Sequence, residues 1–238
     1  MDGRPKYVIS KIMENKQKNW AKYIDHTNID PQATVQSIKK TCEEAKHFKF
    51  RGVCVNPEWT KTAASELRGA DVRLTTLIDP PMGLNLHSER KELCEKAKEN
   101  GSHEIDIVIN IIDIKYGRYD KALGDLKGIC EILPTKVIIG SGFLTDDEIR
   151  KASEIVKEAG AICVKTSTFK DPLDHFELLE KARHLKLMRD SAPGLLIKAA
   201  GKIKTFEDMK MMIEAGADII GTSSSVEILE QAPKEHDE

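Results

Sequence analysis

The sequence predicts a single (β/α)8 barrel, and three observations carry that expectation. Eight short β-branched runs are separated by longer amphipathic, charged segments. The runs begin about 20–35 residues apart, the rhythm of repeated βα units building a parallel sheet. Glycine stands just ahead of several of them, at Gly52, Gly101, Gly160, Gly194 and Gly216, as short αβ loops require. The chain has 238 residues, and such a barrel needs about 250 in one domain. Eight units without a break in composition favour one barrel over two domains. A doubly wound sheet is the structural alternative, but no G-x-G-x-x-G turn follows the first run.

Residues 5–19 read as an extra N-terminal helix that plugs or flanks the barrel. The expected organisation is therefore an extension over 1–19, the barrel over 20–231 and a polar tail over 232–238. The first strand is expected at 22–27 (KYIDHT), followed by Asp30-Pro31 as an N-cap with proline at the first helical position. Strands follow at 52–56 (GVCVN), 73–79 (RLTTLID) and 104–110 (EIDIVIN). The fifth, 136–140 (KVIIG), leads to a helix opened by Thr145 and Glu148 in capping-box spacing and closed near Gly160. The sixth is 161–168 (AICVKTST) and the seventh 195–200 (LLIKAA). A helix then opens at Thr205 and closes at Ala215-Gly216, ahead of the eighth strand at 218–222 (DIIGT).

Hydrophobic residues make up 40% of the chain and charged residues 32%, the balance of a soluble globular protein. No apolar run approaches the ~20 residues of a membrane span. The first residues are charged throughout and lack a secretion signal's apolar core, so a cytoplasmic location is expected. Cys42, Cys54, Cys94, Cys130 and Cys163 are scattered without a C-x-x-C pair, which points to a reducing compartment rather than to disulfides or a zinc ribbon. A net charge of −2 gives no support to nucleic-acid binding, so any anion site must be local. The seven histidines do not gather at strand ends. His26 is the exception, and alternation turns it outward as a packing or hydrogen-bonding residue. Neither a metal nor a cofactor is expected.

Active sites of such barrels lie at the carboxyl ends of the strands, and alternation decides which side chains face inward. On the fourth strand Glu104, Asp106, Val108 and Asn110 share one face, opposite the purely apolar Ile105, Ile107 and Ile109. The apolar face meets the outer helices, so the charged face points into the barrel. The same logic turns Cys163, Lys165 and Ser167 inward on the sixth strand, and Leu196, Lys198 and Ala200 inward on the seventh. Asp25 and Thr27, and Cys54 and Asn56, follow on the first two strands. Two lysines and at least one carboxylate therefore converge. A structural ion-pair network is the plain explanation for any one of them. A second buried cation adds desolvation cost, however, and it lowers the proton affinity of the first amine. A neutral amine is what a Schiff-base nucleophile needs, since an ammonium has no lone pair. The pattern points to covalent, aldolase-type chemistry at Lys165.

YIDHT, GVCVNP, EIDIVIN, AICVKTST, LLIKAAGKIKTFED and DIIGTSS, in this order, resemble deoxyribose-phosphate aldolases. The resemblance covers residues 20–231. It implies a metal-independent, usually dimeric or higher oligomeric class I aldolase on a (β/α)8 barrel. Such enzymes cleave 2-deoxyribose 5-phosphate reversibly to acetaldehyde and glyceraldehyde 3-phosphate. By position, Lys165 matches the Schiff-base lysine, Lys198 the lysine that tunes it, and Asp106 the proton-relay aspartate. Asp25, Thr27, Cys54, Thr168 and Lys170 fall where the family meets its substrate.

The phosphate end departs from the family pattern. Phe169 stands where a glycine follows KTST, and Lys202 replaces the second glycine of K-A-S-G-G-[IV]-R-T. After the third strand Asp79-Pro80-Pro81 replaces Gly-Phe-Pro and adds a carboxylate near the mouth, and Gly140 replaces a glutamate after the fifth. Glycines in such loops let backbone N–H groups approach phosphate oxygens. Two expectations stand side by side. Lys170, Lys202 and Lys204 hold the phosphate by charge while Gly201 and Ser223 to Ser225, including Ser224, contribute amides. Alternatively the acceptor is a smaller or unphosphorylated aldehyde, and Phe169 fills the phosphate space.

Overall fold

The computed structural model describes residues 19–168, 172 and 177–233. The expected N-terminal helix, Phe169, Lys170 and the last five residues of the tail lie outside them. Eight parallel strands close into a barrel in chain order. They are β1 (Ile24–Asn28), β2 (Gly52–Val55), β3 (Arg73–Ile78), β4 (Glu104–Val108), β5 (Thr135–Ile138), β6 (Cys163–Lys165), β7 (Leu196–Ala200) and β8 (Ile219–Thr222). Closure through the β1–β8 ladder removes the doubly wound alternative. The surrounding helices are α1 (Val35–Phe48), α2 (Thr60–Glu66), α3 (His87–Glu99), α4 (Ile111–Lys115), α5 (Tyr119–Cys130), α6 (Asp146–Glu158), α7 (Leu178–Ser191), α8 (Phe206–Glu214) and α9 (Ser225–Glu230). No helix among the described residues is long and apolar enough to cross a membrane.

Alternation holds where it was expected. Ile105 and Ile107 of β4 are fully buried in the apolar layer shared with the helices, while Glu104 and Asp106 point to the barrel interior. Burying such side chains supplies about 25 cal/mol per Å² of apolar surface. The strands stop earlier than the apolar runs do. β4 ends at Val108 because the Asn110 side chain turns to cap α4, accepting from the Asp113 amide at 2.9 Å. β6 ends at Lys165, and Thr166 then bonds across to β7, its hydroxyl donating to Ala200 O at 3.2 Å.

Helix starts are set by side-chain caps. Thr145 with Glu148 and Thr205 with Asp208 form the capping boxes of α6 and α8. Asp30-Pro31 does not start a helix. Asp30 Oδ1 accepts from the Gln32 amide at 2.8 Å in a turn, and α1 begins later, at a box between Thr34 and Ser37. Asp79 also behaves differently from the expectation of a carboxylate at the mouth. It adopts a left-handed conformation with φ 55°, and its Oδ2 accepts from Arg90 Nη1 of α3 at 2.6 Å. That carboxylate is committed to holding the loop after β3.

Candidate active site

Parallel register sets the level of each inward residue. Lys165 of β6 is the Cα partner of Lys198 on β7, and Asp106 of β4 is the partner of Lys136 on β5. Lys136 also pairs with Cys163, two residues below Lys165. The three lysines therefore occupy two levels around one aspartate.

Asp106 Oδ2 accepts from Lys165 Nζ at 2.7 Å and from Lys198 Nζ at 2.9 Å. Lys198 Nζ also donates to Asp25 Oδ2 at 2.6 Å. Below them, Lys136 Nζ donates to Glu104 Oε2 at 2.6 Å and to Thr75 Oγ1 at 3.0 Å, and pairs with Asp106 Oδ1 at 3.0 Å. Arg51 closes the lower end, bridging Asp25 Oδ1 at 2.8 Å and Glu104 Oε1 at 2.9 Å. Gly221 makes room for the upper layer: a Cβ there would lie 3.0 Å from Lys198 Cε and 3.3 Å from Ala200 Cβ.

These contacts decide the charge states. Burial pushes the Asp106 carboxyl up, but Lys136, Lys165 and Lys198 outweigh it and hold the group well below the ordinary carboxylate range. Asp25 is likewise pushed up by burial and brought down further by Lys198, Lys136 and Arg51. Burial would lower Lys198, yet Asp106 and Asp25 raise it above an ordinary lysine, so it stays cationic at neutral pH. The Cys54 thiol is pushed up to about 11, chiefly by burial, and is a neutral wall rather than a thiolate.

Above the network opens a cavity of about 940 Å³. Lys165 reaches it at 4% exposure, whereas Lys198, Lys136, Asp106 and Asp25 are fully buried beneath. Thr27, Ser167 and Thr168 line the cavity beside Lys165. Gly201, Lys202, Lys204, Ser223 and Ser224 line the same cavity, so the residues expected at a phosphate are brought together. The Ser224 amide already donates to Thr222 Oγ1 at 3.0 Å, which leaves its hydroxyl rather than its N–H for a ligand. Asp25 and Cys54 sit one layer below, Asp25 as the counterion of Lys198. His26 faces outward as expected, bonded to Ser225 Oγ at 2.9 Å and Glu44 Oε2 at 3.0 Å. No group of three or more His, Cys, Asp or Glu among the described residues is arranged to hold a metal ion.

Sequence reasoning did not single out Lys136 or Arg51. Lys136 carries the same signal as Lys165, a lone lysine in an apolar run, and alternation along β5 places it inward with Ile138. Arg51 precedes its strand, where alternation gives no direction.

No protein-family model matches the chain. A deoxyribose-phosphate aldolase of Staphylococcus carnosus is 41% identical over 224 residues, covering 92% of this chain and 99% of the relative. One from Clostridium tetani is 39% identical over 216 residues, covering 89% and 98%. Among solved structures, an aldolase named QR15 superposes with a TM-score of 0.82 at 35% identity, covering 88% of this chain and 94% of that one. A tetrameric deoxyribose phosphate aldolase from Aeropyrum pernix superposes with a TM-score of 0.80 at 27% identity, covering 89% of each. With identity at this level sustained over nearly the whole of both chains, the protein belongs to the deoxyribose-phosphate aldolase family.

Proposed function

We propose that the protein cleaves 2-deoxy-D-ribose 5-phosphate reversibly to acetaldehyde and D-glyceraldehyde 3-phosphate, through a Schiff base on Lys165. The observation that carries this reading is the unequal pairing of three lysines. Lys136 and Lys198 each lie against two carboxylates, whereas among the described residues Lys165 lies against Asp106 alone, and it is the lysine that reaches the cavity. Removing a proton from Lys165 breaks the fewest ion pairs and relieves repulsion from Lys198.

The neutral amine attacks C1 of the open-chain sugar. Asp106 receives and returns the protons needed to lose water from the carbinolamine, which leaves the iminium. The iminium withdraws electrons from the C2–C3 bond as the C3 hydroxyl gives up its proton. Glyceraldehyde 3-phosphate departs, leaving an enamine on Lys165. Protonation at C2 and hydrolysis then release acetaldehyde and the free lysine. Lys198 remains a cation throughout and keeps Asp106 ionised between transfers. Thr27 and Thr168 meet the sugar, and Gly201, Lys202, Lys204, Ser223 and Ser224 meet its phosphate. Cys54 and Asp25 shape the floor under the reacting carbons. By the family resemblance Lys170 also meets the substrate.

The scattered free cysteines support a cytoplasmic enzyme, and the tetrameric Aeropyrum relative supports a homo-oligomer. Incubation with acetaldehyde and borohydride, followed by peptide mass mapping, is expected to place an ethyl group on Lys165. No adduct, or one on Lys136 or Lys198, overturns the assignment. A working phosphate site predicts kcat/KM for deoxyribose 5-phosphate orders of magnitude above that for free deoxyribose, and parity would point to an unphosphorylated acceptor.

A further inference from the structure

We infer that Lys181 is a positioning residue for the phosphate end of the cavity, a buried cation that fixes the peptide planes on which the anion rests. The inference builds on the reading of that end as a phosphate site. Lys181 lies on α7, outside the barrel, and its side chain is completely buried. Its Nζ donates to Gly201 O at 2.7 Å and to Ala200 O at 3.0 Å, the two carbonyls at the end of β7. Lys181 does not line the cavity, whereas Gly201 and Lys202 do.

In a trans peptide the C=O and the following N–H point in opposite directions. Carbonyls drawn back to Lys181 therefore turn the amides of Gly201 and Lys202 away from it, to the side on which the loop meets the cavity. Both residues adopt positive φ, 90° for Gly201 and 60° for Lys202. For a lysine this conformation is strained, and it persists only where the surroundings over-determine it. The two Nζ bonds, with Ser167 Oγ donating to Ala200 O at 2.7 Å, are that constraint. The fit leaves no slack: a Cβ at Gly201 would lie 2.8 Å from Ser167 Oγ and 2.9 Å from Lys181 Nζ. Amides held in this way, beside Lys202 and Lys204, favour an anion over a neutral hydroxymethyl group.

The test compares Lys181→Met and Lys181→Gln with the wild type, on 2-deoxyribose 5-phosphate and on 2-deoxyribose. Loss of an ordered, charge-assisted donor set predicts a rise of about 10-fold to 100-fold in KM for the phosphorylated sugar in Lys181→Met. Its kcat, and kcat/KM for the free sugar, are expected to stay at wild-type values. Lys181→Gln keeps a donor for one carbonyl, and so remains informative if the methionine variant does not fold. It is expected to give an intermediate KM. Equal losses on both sugars would mark a purely structural lysine and overturn the inference. A wild-type preference for phosphate that survives in the variants overturns the inference alone. A wild-type enzyme without that preference overturns the phosphate reading and this inference together.

Discussion

Asp106 Oδ2 serves both Lys165 and Lys198, and Oδ1 faces Lys136, so one carboxylate contacts three amines at two levels of the barrel. Asp106→Asn is nearly isosteric and separates shape from charge. It is expected to lower kcat by about 10²- to 10⁴-fold, the usual contribution of a positioned proton-transfer group. It should also cost about 3–5 kcal/mol of stability, because it leaves buried lysines short of a counterion. Steady-state turnover and urea unfolding read the two effects separately, and a variant that keeps turnover would remove Asp106 from the proton path. Gly221→Ala tests the geometry of the second lysine. The added methyl lies within 3.0 Å of Lys198 Cε and 3.3 Å of Ala200 Cβ, both in the packed interior. Overpacking of this kind typically costs about 1–3 kcal/mol. It should also reduce kcat by displacing Lys198 from Asp106, whereas unchanged kcat would show that the interior absorbs the methyl.

α8 starts where the loop carrying Gly201, Lys202 and Lys204 ends, and its capping box ties the two together. Thr205 Oγ1 accepts from the Asp208 amide at 3.1 Å, while Asp208 Oδ2 accepts from the Thr205 amide at 2.9 Å and the Lys204 amide at 3.0 Å. Thr205→Ala is expected to cost about 1 kcal/mol, read as a lower urea midpoint at unchanged slope. This cap was legible in the sequence because Thr and Asp three residues apart form a local pattern. The same holds for Asp106, Lys165 and Lys198, whose facing follows from alternation within one strand. Strand ends were not legible in this way. An apolar run continues through Ile109, Thr166 and Ile139, but ladder bonds depend on where the neighbouring strand ends and on caps such as Asn110. Asp30-Pro31 misled for a related reason, since an aspartate that caps a helix can equally close a turn. Lys136 shows the opposite case, in which the pattern was present but its meaning came from Glu104 and Asp106 on the neighbouring strand.

The interior network ties the stability of the whole molecule to pH, and outward-facing His26 adds a second, separable dependence. Asp25, Asp106 and Glu104 all ionise below their ordinary range in the folded protein, since nearby cations outweigh burial. Their contribution is complete above the unfolded values near ~4 and is lost as pH falls through the folded ones. Lys136 and Lys198 are raised by the same carboxylates against the pull of burial. Their contribution is complete below about 10.4 and is lost as pH rises through their folded values. Between these limits the network alone gives a flat profile. His26 is pulled below 6.5, chiefly by burial and against the attraction of Glu44 and Glu227. Its contribution is therefore complete above 6.5 and is lost as pH falls through its depressed folded value. The unfolding free energy is expected to be level from about pH 7 to 8.5, to fall above that as thiols that burial raises in the folded protein ionise in the unfolded chain, to decline gently below about 6.5 and to fall steeply below about 4. His26→Gln removes the gentle decline. It starts less stable at pH 7, having lost the bonds to Ser225 and Glu44, and the gap to the wild type narrows between pH 7 and 5. Urea unfolding of both proteins across that range is the measurement. A gap that stays constant would mean that His26 takes up its proton equally in the folded and unfolded chains.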